Sequence, residues 1–154
     1  MYEINNNKLP VYKTLILRTK DATTDSDRHF FTFNKLRPFF INTDNATLKV
    51  KSIIVYGSGE DDAASHAWTI KLGNVSYNNS YYVNSDNEGL PTIAIFNYDT
   101  NKTGIDSNDP ILHLEKQNIN NIVLYFSSND GHGLTKNSKD IDIDITLTIC
   151  EHQE

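Results

Sequence analysis

Residues 141–149 alternate without exception between apolar and polar side chains. The apolar positions are Ile141, Ile143, Ile145, Leu147 and Ile149, and the interleaved positions are Asp142, Asp144, Thr146 and Thr148. Successive side chains of a strand point to opposite faces, so this pattern predicts a strand with one buried and one solvated face. A slip of one residue would turn the acidic face into the core, so the register of this strand is strongly fixed.

The same period of two recurs along most of the chain. It predicts further strands or short extended pieces at 11–19, 29–33, 47–56, 67–72, 75–77, 81–83, 90–98, 111–114 and 119–126. Polar clusters rich in Asn, Asp, Ser and Gly separate them, and no window supports a helix of several turns; residues 117–121 could form one turn at most. We therefore predict an all-β fold, an antiparallel sandwich or barrel, with jelly-roll and immunoglobulin-like topologies both open.

Two of these segments carry specific expectations about their faces. In the 47–56 strand, Leu48, Val50, Ser52, Ile54 and Tyr56 are predicted to share one face. In the 67–72 strand, Trp68, Ile70 and Leu72 are predicted to lie together. Phe31 and Phe33 likewise share a face of the short strand before them. All three sets indicate core packing.

Length, charge and cysteine content narrow the class of protein. The 154 residues fit one domain, residues 1–154, in which residues 1–9 form a short polar arm. The net charge of -6 disfavours nucleic-acid binding, and the apolar stretches are too short for a membrane span. Cys150 is the single cysteine, and the N-terminus lacks the basic start and apolar run of a secretory signal. We expect synthesis in a reducing cytoplasm.

Candidate catalytic residues fall at positions that do not favour catalysis. Ser65-His66 and Asp130-Gly131-His132 lie in predicted turns and not in the strained elbow that presents a nucleophile. Cys150 is followed by Glu151, where a reactive thiolate needs nearby cations. We interpret all of them as surface polar residues and predict no catalytic residue.

Candidate metal ligands are also weak. The histidines, His29, His66, His113, His132 and His152, are scattered without a short-range pair. The string from Asp99 to Asp106 begins like a calcium loop, but its twelfth position is Pro110 where a bidentate glutamate should stand. We therefore predict no metal and no cofactor, although the loops 57–62, 77–82 and 99–109 stay open as glycan or calcium sites.

Paired carboxylates and clustered aromatic residues each allow two interpretations. Asp142 and Asp144 lie about 7 Å apart on one strand face, which we interpret as a solvated surface beside Lys13 or Lys49. Tyr77, Tyr81 and Tyr82 could form an aromatic platform for a sugar together with Trp68, but we expect Trp68 in the core.

An apolar run, Phe39-Phe40-Ile41, follows Pro38 in a predicted loop. Such a run either plugs one end of the sandwich or is buried by a neighbouring subunit, and the sequence leaves both interpretations open.

The order of several segments is also informative. A strand at Thr14–Arg18 is followed by Lys20-Asp21, by Phe31–Phe33 and by the strand Leu48–Val55, and the chain ends on Asn120–Tyr125, Asn129–Gly131 and Asp140–Ile149. This order resembles the single-jelly-roll minor capsid and penton-type proteins of large eukaryotic DNA viruses and virophages, over most of the chain.

The resemblance implies a jelly roll of about eight strands and no catalytic residue. It also implies location in the virion and a cyclic homo-oligomer, typically a pentamer, in contact with other capsid proteins; a minor cementing role is the variant of this interpretation. The arm Tyr2–Leu9 and the run Phe39–Ile41 are the candidates for one side of the subunit interface. The main alternative is a carbohydrate-binding, lectin-like jelly roll that uses 77–82 or 99–109.

Overall fold

The computed structural model describes residues 9–56, 67–78, 90–97, 102–103, 110–128, 131–136 and 139–152. One short 3-10 helix, Thr19–Asp21, lies in these ranges. The strands are β1 (Val11–Arg18), β2 (Thr23–Thr24), β3 (Phe30–Phe33), β4 (Phe39–Ile41), β5 (Ala46–Tyr56), β6 (Ala67–Gly73), β7 (Tyr77–Asn78), β8 (Thr92–Asn97), β9 (Lys102–Thr103), β10 (Leu112–Leu114), β11 (Gln117–Ile119), β12 (Ile122–Ser128), β13 (Thr135–Lys136), β14 (Lys139–Asp140) and β15 (Asp142–Glu151).

Two antiparallel sheets make up most of the fold. The first has the order β1-β15-β5-β10-β7, with β9 also paired to β5, and the second has the order β2-β3-β12-β6-β8. Two small two-stranded sheets, β4 with β11 and β13 with β14, complete the described part. The buried side chains of both large sheets form one hydrophobic cluster. The chain is therefore an antiparallel β-sandwich, as the sequence predicts.

Four of the pairings within the two large sheets are nested along the chain. β1 pairs with β15, β3 with β12, β5 with β10 and β6 with β8. Each successive pair thus lies inside the previous one in sequence, while the pairs β15–β5 and β12–β6 join them into the two sheets.

The alternation of the last strand is confirmed residue by residue. Every odd-numbered residue of β15 from Ile143 to Glu151 is buried, and every even-numbered residue is half-buried on the other face. The core also contains Trp68, Ile70 and Leu72 as predicted, together with Phe31 and Phe33. Gly131 has a φ of 86°, in the left-handed region that glycine adopts without a steric penalty.

The predicted face of β5 is wrong in its second half, because the strand contains a bulge. Val50 pairs with Leu147 and Ser52 pairs with Thr146, which are adjacent residues of β15. Lys51 is therefore an extra residue in β5 that has no partner position in β15. A bulge shifts the alternation by one position. Ile53 is therefore fully buried, whereas Ile54 and Tyr56 are exposed on the outer face.

Two segments differ from the sequence-based expectation. Residues 39–41 form strand β4 and not a loop, and Gln117–Ile119 forms its partner β11 and not a helical turn. Within β4, Ile41 is buried in the core, Phe39 packs partly against it, and Phe40 is exposed. The run therefore contributes both to the core and to the surface.

Candidate functional site

The residues that suggested chemistry are dispersed in the structure. His29 accepts or donates at Nδ1 with the carbonyl oxygen of Phe126, at 2.7 Å, and its ring stacks on Tyr125. Cys150 Sγ lies 3.6 Å from His152 Nε2. Among the described residues, no group of three or more His, Cys, Asp and Glu side chains is placed to hold a metal ion. Ser65, His66, Asp130 and the string Asp99–Asp106, apart from 102–103, lie outside the described residues.

Two residues of the proposed aromatic platform belong to the core or pack against it. Trp68 is buried in the core, and Tyr77 packs partly against the same core. Tyr81 and Tyr82 lie outside the described residues, as do the loop 57–62 and residues 1–8 of the arm.

Asp142 and Asp144 hold structural contacts, but their partners differ from the prediction. The Asp142 carboxylate lies 3.3 Å from the Arg28 guanidinium and accepts a hydrogen bond from Thr19 Oγ1 at 3.0 Å. Asp144 lies 3.6 Å from Arg18 Nε. The prediction that Lys13 or Lys49 would face these carboxylates is wrong, because β1 pairs with β15 in a register that places Arg18 opposite Asp144.

Two tyrosines on the outer face of the first sheet have raised pKa values. Tyr56 Oη donates a hydrogen bond to Asp144 at 3.2 Å, and this bond raises the pKa of Tyr56. The pKa of Tyr12 is raised by its hydrogen bond to Cys150, which lies directly opposite in the register of β1 and β15.

A partly buried ion pair connects β1 and β15. Lys13 Nζ lies 2.9 Å from the Glu151 carboxylate, which also accepts a hydrogen bond from the Asn42 backbone N–H at 2.6 Å. Lys13 Nζ also donates to the Phe40 carbonyl oxygen. This cluster ties β1, β4 and β15 together. It was missed from the sequence, although Glu151 follows the apolar parity of the last strand.

Removing the acid of this pair has a predictable cost. We expect Glu151→Ala to lower the free energy of unfolding by about 3 kcal/mol, because it leaves a partly buried ammonium group and one backbone N–H without their acceptor. Urea denaturation followed by circular dichroism measures this loss. Arg18→Ala, which breaks a pair exposed to solvent, is the matched control and should cost about 1 kcal/mol or less. Equal effects of the two variants would contradict the structural role of Glu151.

The structure also forms a groove beside β1. It has a volume of about 500 Å³ and is lined by Ile16 and Arg18 of β1, by Lys20 and Asp21, and by Phe33, Lys35 and Leu36. Phe33 belongs to the core and Leu36 packs against it, and with Ile16 they supply the apolar part of a mostly charged lining. Three cations against one carboxylate give the rim a positive charge, in a protein whose net charge is -6.

Large apolar side chains are exposed on the same side of the fold. Ile16 is 54% exposed on β1, and Ile54 and Tyr56 are 38% and 44% exposed on β5. Tyr12 also lies on this outer face, four residues before Ile16 on β1. Side chains that alternate along one strand share a face, so these residues lie on the outer face of the sheet together with the threonines of β15 and with Asp142, Asp144 and Arg18.

The fold and its surfaces define a β-sandwich whose described residues contain no helix long and apolar enough to cross a membrane. No protein-family model matches the chain, and neither a curated protein nor a solved structure matches it.

Proposed function

We propose that the chain is a structural subunit of a virus particle, of the single-jelly-roll minor capsid or penton type. The nested strand pairing carries the proposal. A jelly roll arises when one long antiparallel hairpin wraps into two facing sheets, so its first strand pairs with its last and the remaining pairs follow inward. The pairs β1–β15, β3–β12, β5–β10 and β6–β8 follow this rule with eight strands.

The exposed apolar surface is the second support. Monomeric proteins rarely expose contiguous apolar patches, whereas subunit interfaces are rich in aromatic and aliphatic side chains. The outer face exposes Tyr12, Ile16 and Ile54, and Phe40 of β4 is 57% exposed. A capsid subunit needs several such surfaces, because it contacts both its own copies and other capsid proteins.

The oligomeric state of the purified chain tests this proposal. We expect light scattering and mass photometry to detect a closed oligomer of identical subunits at micromolar concentration, and peptides of the chain to occur in purified virus particles. A strict monomer at high concentration together with absence from the particles would contradict the proposal.

Phe40 offers a test of one interface by mutation. Phe40→Ser should raise the dissociation constant of the oligomer about tenfold, because it removes an exposed aromatic side chain of the kind that anchors interfaces. The far-ultraviolet circular dichroism should stay unchanged, since Phe40 contributes little to the core. Phe39→Ser is the contrasting variant, because Phe39 packs against the core and its loss should lower stability. If Phe40→Ser associates as strongly as wild type, Phe40 does not lie in a subunit interface.

A further inference from the structure

Charge is distributed very unevenly along the chain. Residues 1–51 carry nine of the 14 Lys and Arg residues but only five of the 20 Asp and Glu residues. Residues 52–154 carry the other 15 acidic residues and five basic ones. The segment that supplies every residue of the groove lining therefore has an excess of basic residues, in a chain whose net charge is -6.

The groove brings part of this positive charge together. Arg18, Lys20 and Lys35 line its rim, and Lys20 and Lys35 are exposed. Arg18 forms an ion pair with Asp144, with 3.6 Å between Nε and the carboxylate. Lys20 Nζ lies 5.8 Å from the centre of the Tyr56 ring. Asp21 is the one acidic side chain in the lining. The rim therefore keeps a net positive charge that attracts carboxylates.

The strand that borders the groove also has a free edge. β1 is an edge strand of its sheet and pairs only with β15 among the described residues. The backbone groups of Ile16–Arg18 that point away from β15 make no hydrogen bond within the described part of the chain. An exposed edge of this kind can accept an extended segment of another molecule.

We propose that the groove and the free edge of β1 bind an acidic surface of a second copy of the chain. Two basic grooves repel each other, so copies cannot meet groove to groove at low cost. The contact instead joins unlike patches, the groove of one subunit and an acidic surface of the next, which is the heterologous contact that a ring requires. The inference rests on the proposed function, since it names the interface through which that subunit assembles.

Charge reversal in the groove is the test. Lys20→Glu with Lys35→Glu should raise the dissociation constant of self-association at least about tenfold in sedimentation velocity at low salt, because it places acid against acid. The control pair Lys51→Glu with Lys116→Glu makes the same change in net charge at exposed positions outside the groove lining. It should change the dissociation constant less than about twofold. Raising the salt concentration should weaken wild-type association but not that of the groove variant. The neutral pair Lys20→Gln with Lys35→Gln should lie between wild type and reversal.

Mixing the proteins tests the head-to-tail geometry. The groove variant keeps its acidic surface, so a labelled sample should still bind the wild-type groove and should shorten or cap the wild-type oligomers. Equal effects of the groove and control pairs, with wild type still assembling, would overturn this inference and leave the proposed function standing. A wild-type protein that stays monomeric at every concentration would overturn both.

Discussion

Replacing Trp68 with alanine is expected to lower the free energy of unfolding by about 4 kcal/mol. Trp68 is fully buried and stacks on Phe96, with 5.7 Å between the ring centres. Its Nε1 also donates a hydrogen bond to the Gly133 carbonyl oxygen at 2.9 Å, which ties β6 to the turn after β12. The alanine variant loses the buried ring area and one of the two hydrogen bonds that this carbonyl accepts, the other coming from the Thr135 N–H at 2.8 Å.

Urea denaturation followed by far-ultraviolet circular dichroism measures this loss. Trp68→Phe is the control, because it keeps an aromatic ring against Phe96 and removes the hydrogen bond; it should cost about 1 to 2 kcal/mol. A cost below about 1 kcal/mol for the alanine variant would mean that Trp68 lies outside the core.

Gly133→Ala is expected to lower the free energy of unfolding by about 3 kcal/mol or more. A Cβ atom at this position would lie 2.0 Å from the Asp27 carbonyl oxygen and 2.6 Å from the Arg28 carbonyl carbon. Both atoms are backbone, so the strain cannot be relieved by rotating a side chain. The displaced segment would also strain the bond from the Leu134 N–H to the Arg28 carbonyl oxygen, at 2.8 Å.

Gly131→Ala is the matched control for this variant. Its Cβ would meet no atom within 4 Å, and only the positive φ of 86° opposes it. The cost should be about 1 kcal/mol, the ordinary penalty for a side chain in the left-handed region. A Gly133→Ala protein as stable as the Gly131→Ala protein would contradict the close approach of the two segments.

Local alternation accounts for the strands that could be predicted from sequence. β15 keeps its predicted faces along its whole length, with each odd-numbered residue buried. The alternation holds because the extra residue of the bulge lies in the partner strand β5 and not in β15. Trp68, Ile70 and Leu72 are buried as predicted for the same reason. These segments contain their structural information within a few residues.

Features that depend on a partner strand could not be predicted in this way. The extra residue Lys51 in β5 is defined by the register with β15, and it moves Ile54 and Tyr56 to the outer face. Lys71 is fully buried although it alternates with core residues of β6. The burial of such a side chain depends on segments that are distant in sequence, which a local pattern does not contain.

The groove could not be predicted from the sequence for the same reason. The groove combines Ile16 and Arg18 with Lys35 and Leu36, which are brought together only when β1 lies beside the segment after β3. One signal was nevertheless present in the sequence: the excess of Lys and Arg in residues 1–51 of an acidic chain. The ion pair between Lys13 and Glu151 joins opposite ends of the chain and could not be read from spacing.

Electron microscopy of the purified full chain tests the central claim most directly, because it images the assembly and its contacts together. We predict closed rings of identical subunits in which the groove of each subunit faces the next. Particles that are all single subunits, or dimers in which two grooves face each other, would contradict the account.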